Sequence, residues 1–136
     1  MSEGAQSEAA WTSATKTLRE LLAPLWCAST QNDGILADLA LGEWQSELEW
    51  HIRPDDDLRG RGSAYVVDCL RSVRDALRED TFENVVKFAV ALGHDTDTTA
   101  CIAGGLAGLR DGFDSIPARW MVALRGKEIA EQLMIR

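Results

Sequence analysis

Apolar residues recur at helical intervals along most of the chain, and no stretch alternates apolar and polar positions as a half-buried strand would. The pattern predicts an all-α fold, a single orthogonal helical bundle. A first helix is expected from about Glu8 toward Ala23, with Trp11, Ala14, Leu18, Leu21, Leu22 and Leu25 on one face and Pro24 disturbing its end. Asn32 and Asp33 are good caps for a second, which carries Ile35, Leu36 and Leu39 as far as Gly42. Trp44, Leu48 and Ile52 give another short helical piece. From Arg53 to Gly62, charge and helix-breaking residues mark a loop.

Beyond that loop the periodicity sharpens. From a Ser63 start, Val66, Leu70, Val73 and Leu77 form an apolar stripe at helical spacing. Asp80 and Glu83 have the form of a capping box, opening a helix that buries Phe82, Val85 or Val86, Ala89 and Leu92, with Gly93 suited to its C′ position. A helix of small residues runs from about Asp95 to Arg110 and stops at Gly112. Pro117 begins a short one bearing Trp120 and Leu124, and Lys127 to Met134 completes the series. Gly104, Gly105 and Gly108 fall inside a helical pattern with no Lys-Ser/Thr after them, which points to close helix packing rather than a phosphate loop.

Composition narrows this picture. With 136 residues, 46% of them hydrophobic, the chain can build one core but not two. Residues 1–61 read as a helical N-terminal segment ending in the charged loop, and residues 62–136 as the rest of the same domain. The N-terminus lacks a basic n-region and an apolar h-region, so a cytoplasmic protein is expected. Cys27, Cys69 and Cys101 are odd in number and widely spaced, which excludes a disulfide framework or zinc site and predicts buried, reduced thiols. The net charge of −8, without any Lys/Arg stripe, argues against nucleic acid and membrane partners.

Gly93-His94-Asp95-Thr96-Asp97-Thr98-Thr99 is the stretch richest in candidate chemistry. On a regular helix Asp95 and Asp97 would point about 200° apart. At a non-helical entry they can converge, and Thr98 adds a hydroxyl, giving a hard-oxygen set suited to Mg²⁺, Mn²⁺ or Ca²⁺. A plain helix cap is the other reading of the same residues. Asp55-Asp56-Asp57 reads as a solvated loop, His51 as a surface histidine, and each tryptophan (Trp11, Trp26, Trp44, Trp50, Trp120) as partly buried packing. No serine or cysteine has a histidine placed to activate it.

The acidic turn, followed by Ile102-Ala103-Gly104-Gly105-Leu106-Ala107-Gly108, Gly112 and Ile116-Pro117-Ala118-Arg119-Trp120, resembles the C-terminal signature of the ADP-ribosylglycohydrolases. Gly62-Ser63-Ala64-Tyr65-Val66-Val67-Asp68-Cys69-Leu70 is similar to the glycine-led helix that precedes it, so the likeness covers about residues 62–124. It implies the C-terminal part of an all-α enzyme that cleaves ADP-ribose from modified side chains such as arginine or serine. Its cofactor would be a pair of Mg²⁺ or Mn²⁺ ions, with Asp95, Asp97 and Thr98 as metal ligands and Asp95 and Asp97 as the catalytic carboxylates. Its partner would be an ADP-ribosylated protein or ADP-ribose.

Two departures qualify the likeness. His94 stands where the family most often has Gly, and the family's N-terminal metal element, a threonine followed by two aspartates, is not found in this sequence. Two octahedral cations offer about twelve coordination positions, and two carboxylates and one hydroxyl are few for that. The expectation is therefore an incomplete or truncated member, with a second chain as a candidate source of the missing half. The alternative is a non-catalytic helical module that binds a cation or ADP-ribose, or completes a partner chain.

Overall fold

The computed structural model describes residues 3–29, 46–126 and 128. Five α-helices are described: α1 (Glu3–Ser29), α2 (Val66–Ala76), α3 (Phe82–Ala91), α4 (Thr96–Asp111) and α5 (Ala118–Ala123). A π-helical turn spans Glu47–Ile52 and a 3₁₀ turn spans Phe113–Ser115. No strand occurs among the described residues, and the fold is all-α as the periodicity predicts. The helix expected from Asn32 to Gly42, Trp44, and nearly all of the segment from Lys127 to Met134 lie outside the described residues.

The core is made by α2, α3 and α4. Cys69, Val73 and Ala76 from α2 meet Phe82, Val85 and Ala89 from α3 and Ala103 and Ala107 from α4. Alanines at the contact leave no room between helices: a Cβ on Gly104 would sit 3.3 Å from Val86 Cγ2. The small-residue pattern of α4 is thus a packing surface for α3. Trp120 closes one end of this core, tilted against Phe82 with ring centroids 6.1 Å apart.

The α2 stripe has the expected period but a different phase. Val66 is 73% exposed and Leu70 is exposed, while the buried face runs through Cys69, Ser72, Val73 and Ala76, with Leu77 half-buried. α2 turns its small side chains inward because the neighbouring backbones lie so close, and the larger Val66 and Leu70 are left outside. At α3 the cap is shifted by one residue. Thr81, in extended conformation, accepts the Asn84 N–H at 3.2 Å, while Glu83 pairs with Lys87 at 2.5 Å and with Arg119. Gly93 ends α3 at φ 76°, donating to the Val90 carbonyl at 3.1 Å, as a C′ glycine should.

α1 is longer than expected and continues through Pro24 to Ser29. A proline deprives the carbonyl four residues earlier of its partner, here that of the exposed Glu20, where water can replace the lost bond. The described side chains of α1 meet the rest of the molecule largely through polar groups. Glu8 accepts from Arg74 at 2.8 Å and Arg78 at 2.9 Å, and these guanidiniums hold its carboxyl below the usual range against partial burial. The Trp11 indole donates to the Pro54 carbonyl at 2.8 Å, with the Arg74 guanidinium over its ring. Arg19 reaches both Glu49 and Asp55.

Candidate functional site

The acidic turn joins α3 to α4. Gly93 and His94 are consecutive left-handed residues, at φ 76° and 58°, and they reverse the chain so that Asp95 enters α4 at φ −89°, ψ 65°, outside helical geometry. Its carbonyl accepts the Thr99 N–H at 3.2 Å, so the backbone of Asp95 caps α4. Its side chain does not. That carboxyl lies instead within hydrogen-bonding reach of Asp97. Asp95 thus enters α4 outside helical geometry, the condition under which the two side chains can approach each other.

A hydrogen bond from the Asp95 carboxyl, together with the Asp97 and Thr98 N–H groups, holds Asp97 below the usual carboxylate range. When both groups are ionised they repel, and a shared proton or a cation relieves the repulsion. Asp97 and Thr98 are exposed and Asp95 is half-buried, so the pair is open to solvent. The donors are all hard oxygen and fit a divalent cation of the Mg²⁺ or Mn²⁺ type. Among the described residues no group of three or more His, Cys, Asp or Glu side chains converges to hold a metal, so a cation held at the turn would need further ligands. Thr99 points the other way: it is fully buried, its hydroxyl 4.0 Å from Cys69 Sγ.

His94 carries a cost. An L-residue in left-handed conformation is strained by about 1–2 kcal/mol relative to right-handed geometry, and the imidazole is exposed, so no packing repays it. His94→Gly is expected to raise stability by about 1 kcal/mol, less whatever glycine adds to unfolded-chain entropy. Urea midpoints of the two proteins check this.

The turn is held from outside by a strap, residues 59–63, laid across α2. Four successive N–H groups of the strap bond polar side chains of that helix. Gly60 donates to Asp75 at 3.0 Å, Arg61 to Asp68 at 3.1 Å, Gly62 to Ser72 Oγ at 2.9 Å and Ser63 to Asp68 at 2.7 Å. The Gly62 carbonyl then accepts the Asp95 N–H at 2.9 Å. Burial pushes the Asp68 carboxyl up, but the Ser63 amide and hydroxyl and the Arg61 amide outweigh it and hold Asp68 below the usual range. Gly62 has φ 76°, and a Cβ there would lie 2.8 Å from both the Gly93 oxygen and Leu92 Cβ, so only glycine fits.

Asp68, Ser72 and Asp75 were not singled out from the sequence, although their spacing puts three polar residues on one face of α2, directly after an Arg-Gly-Arg-Gly run. That face was visible as a pattern. What it was for depended on the fold.

Other candidates find ordinary roles. Asp55, Asp56 and Asp57 pair with Arg19, Arg53 and Arg78 respectively, which makes them charge partners of the loop. His51 is exposed and bonds Glu47 at 2.7 Å. Trp50 is 76% exposed and Cys101 is exposed, against the expectation of packing for both, because each lies on an outward helix face; Cys69 is buried as expected. The side chains of Trp26 and Cys27 lie outside the described residues. An open cleft of about 710 Å³ is lined by Asp80, Phe82, Asp111, Asp114, Ile116 and Arg119, among others. It sits at the C-terminal end of α4, about 20 Å from Asp97 at 1.5 Å per residue, and is separate from the acidic turn.

The profile of the ADP-ribosylglycohydrolase family matches residues 1–136, extending through the first 61 residues, where the periodicity alone is generic. ADP-ribosylhydrolase ARH3 of Danio rerio is 46% identical over 54 residues, 40% of this chain and 15% of that protein. The ADP-ribosyl-[dinitrogen reductase] glycohydrolase of Rhodospirillum rubrum is 38% identical over 77 residues, 56% of this chain and 25% of that protein. ADP-ribosylarginine hydrolase Tri1 of Serratia proteamaculans is 33% identical over 90 residues, 62% of this chain and 24% of that protein. The chain thus spans about a quarter or less of the relatives it matches. No solved structure gives a significant match. Among the described residues, no helix is long and apolar enough to cross a membrane.

Proposed function

The chain belongs to the ADP-ribosylglycohydrolase family, and from that membership we propose that it serves hydrolysis of the bond between ADP-ribose and a modified protein side chain. Asp95, Asp97 and Thr98 are the residues we assign to one side of a two-cation Mg²⁺ or Mn²⁺ centre. The observation that carries this reading is the non-helical entry at Asp95, whose side chain makes no cap bond to α4, as a simple cap would. Bound there, a divalent cation supplies Lewis-acid charge that holds ribose hydroxyls and orients water beside the scissile bond.

The residues of the turn divide the work. Asp97, held below the usual carboxylate range, is ionised at neutral pH and would offer an anionic oxygen to the cation. Asp95 would supply the second carboxylate to such a cation. Thr98 contributes a neutral oxygen from the first turn of α4. We assign each carboxylate the further task of assisting proton transfer as glycoside cleavage proceeds through its oxocarbenium-like state.

A second reading rests on the shortness of the donor set. Two carboxylates and one hydroxyl leave most positions around two cations to other ligands, and the outer edge of α4 carries Ile102, Leu106 and Leu109 exposed, one after another at helical spacing. In that reading the chain is a module that binds a cation or ADP-ribose, with the missing ligands supplied by a partner chain. The discriminating experiment incubates the protein with an ADP-ribosylated substrate protein and Mn²⁺ or Mg²⁺. Metal-dependent release of free ADP-ribose is expected if the chain turns over. Mn²⁺ binding without release selects the module, and absence of both sinks the assignment of the turn as a metal site.

A further inference from the structure

Ser72 is fully buried, yet its hydroxyl is used twice: it donates to the Asp68 carbonyl at 2.8 Å and accepts the Gly62 N–H at 2.9 Å. Gly62 passes the connection on, its carbonyl accepting the Asp95 N–H at 2.9 Å. An unbroken line of hydrogen bonds therefore runs from the middle of α2 to the first residue of the acidic turn.

We infer that Ser72 is a positioning residue for the Asp95–Asp97 pair, acting through Gly62; this rests on the reading of that pair as cation-holding. Convergence of the two carboxylates depends on the backbone angle at Asp95. In helical conformation they would diverge by about 200°, and α4 would simply extend backward by a residue. The Asp95 side chain makes no cap bond that could resist this change, so its backbone N–H is the handle by which the entry angle is fixed. Gly62, wedged against Gly93 and Leu92, transmits the position of the strap without slack. On the α2 side, Thr99 packs at Cys69, which joins the same two helices one turn further along. Ser72 thus governs an angle that α4 alone leaves free.

The test is Ser72→Ala in the full chain, read by Mn²⁺ titration calorimetry, amide hydrogen exchange at Asp95 and circular dichroism. Expected are retained helicity, faster exchange at Asp95, and Mn²⁺ affinity lower by about tenfold, the range found for groups that orient metal ligands without touching the metal. Ser72→Cys, with a weaker hydrogen-bonding group of similar shape, is expected to recover part of both losses. It also carries the experiment should Ser72→Ala fail to fold. Mn²⁺ affinity unchanged in a folded variant, or reduced with Asp95 exchange unaltered, overturns the inference while leaving the metal reading intact. A wild-type chain that binds no Mn²⁺ overturns both, and that failure is seen before any variant is made.

Discussion

Asp97→Ala is expected to lower Mn²⁺ affinity by about a hundredfold or more and to remove any metal-dependent release of ADP-ribose. The magnitude follows from the donor set. With two carboxylates and one hydroxyl on this side of the site, the substitution deletes half of its negative charge and the group held most firmly ionised. Loss of a group that merely orients a ligand costs roughly 10–100-fold in metal affinity, and removal of a ligand should cost at least as much. The variant should fold, because Asp97 is exposed and its side chain bonds only amides of its own turn and Asp95. Asp97→Asn is the sharper form, keeping shape and hydrogen-bonding capacity while discarding charge. Calorimetry with Mn²⁺ decides the matter: affinity within threefold of wild type in both variants would sink the assignment of Asp97 as a ligand.

Asp75→Ala should have the largest effect on stability. Asp75 is 4% exposed and accepts from Gly60 N–H at 3.0 Å, Arg59 at 3.2 Å and Arg78 at 3.0 Å. Truncation leaves the half-buried Gly60 amide without its acceptor and takes one anion from Arg59 and Arg78, the latter still paired with Glu8 and Asp57, at a cost of about 2 kcal/mol. Asp75→Asn should recover part of this, since its carbonyl oxygen can still accept one N–H while its amide faces a cation. Urea unfolding followed by circular dichroism gives the comparison. A loss under about 1 kcal/mol for Asp75→Ala would mean that the strap is fastened elsewhere.

Helix periods and breaks were readable from apolar spacing because the α2–α4 unit obeys local rules. Gly93 stops α3 by its left-handed φ, Gly112 follows the last residue of α4, and Pro117 precedes α5. The phase of α2 was not readable. Val66 and Leu70 look like core residues in isolation, and only the closeness of the neighbouring helices explains why Cys69, Ser72 and Ala76 take the interior. Similarly, Asp80 and Glu83 satisfy the spacing of a capping box, but the extended angle falls at Thr81, and Glu83 is drawn to Lys87 and Arg119.

For the candidate site, the pair at Asp95 and Asp97 could be named from sequence because their chemistry lies in one short run. The strap could not, since the Ser72 hydroxyl reaches Asp95 only through the backbone N–H and carbonyl of Gly62, a link that leaves little trace in residue identity. Gly62 is the exception. Its left-handed φ and close neighbours require glycine, and it opens the segment that resembles the family's glycine-led helix.

The manner in which α1 is attached has a consequence for how the molecule breathes. Helices held mainly by ion pairs and a few side-chain hydrogen bonds open with less free energy than helices sharing a packed interior. The contacts through Glu8, Trp11 and Arg19 belong to the first class, while α2, α3 and α4 belong to the second. Detachment of α1 is then a sub-global event, and amide protons of α4 should outlast those of α1 in deuterium oxide. The acidic turn is built into the α2–α4 unit, so its geometry is expected to persist through excursions in which α1 has already come away.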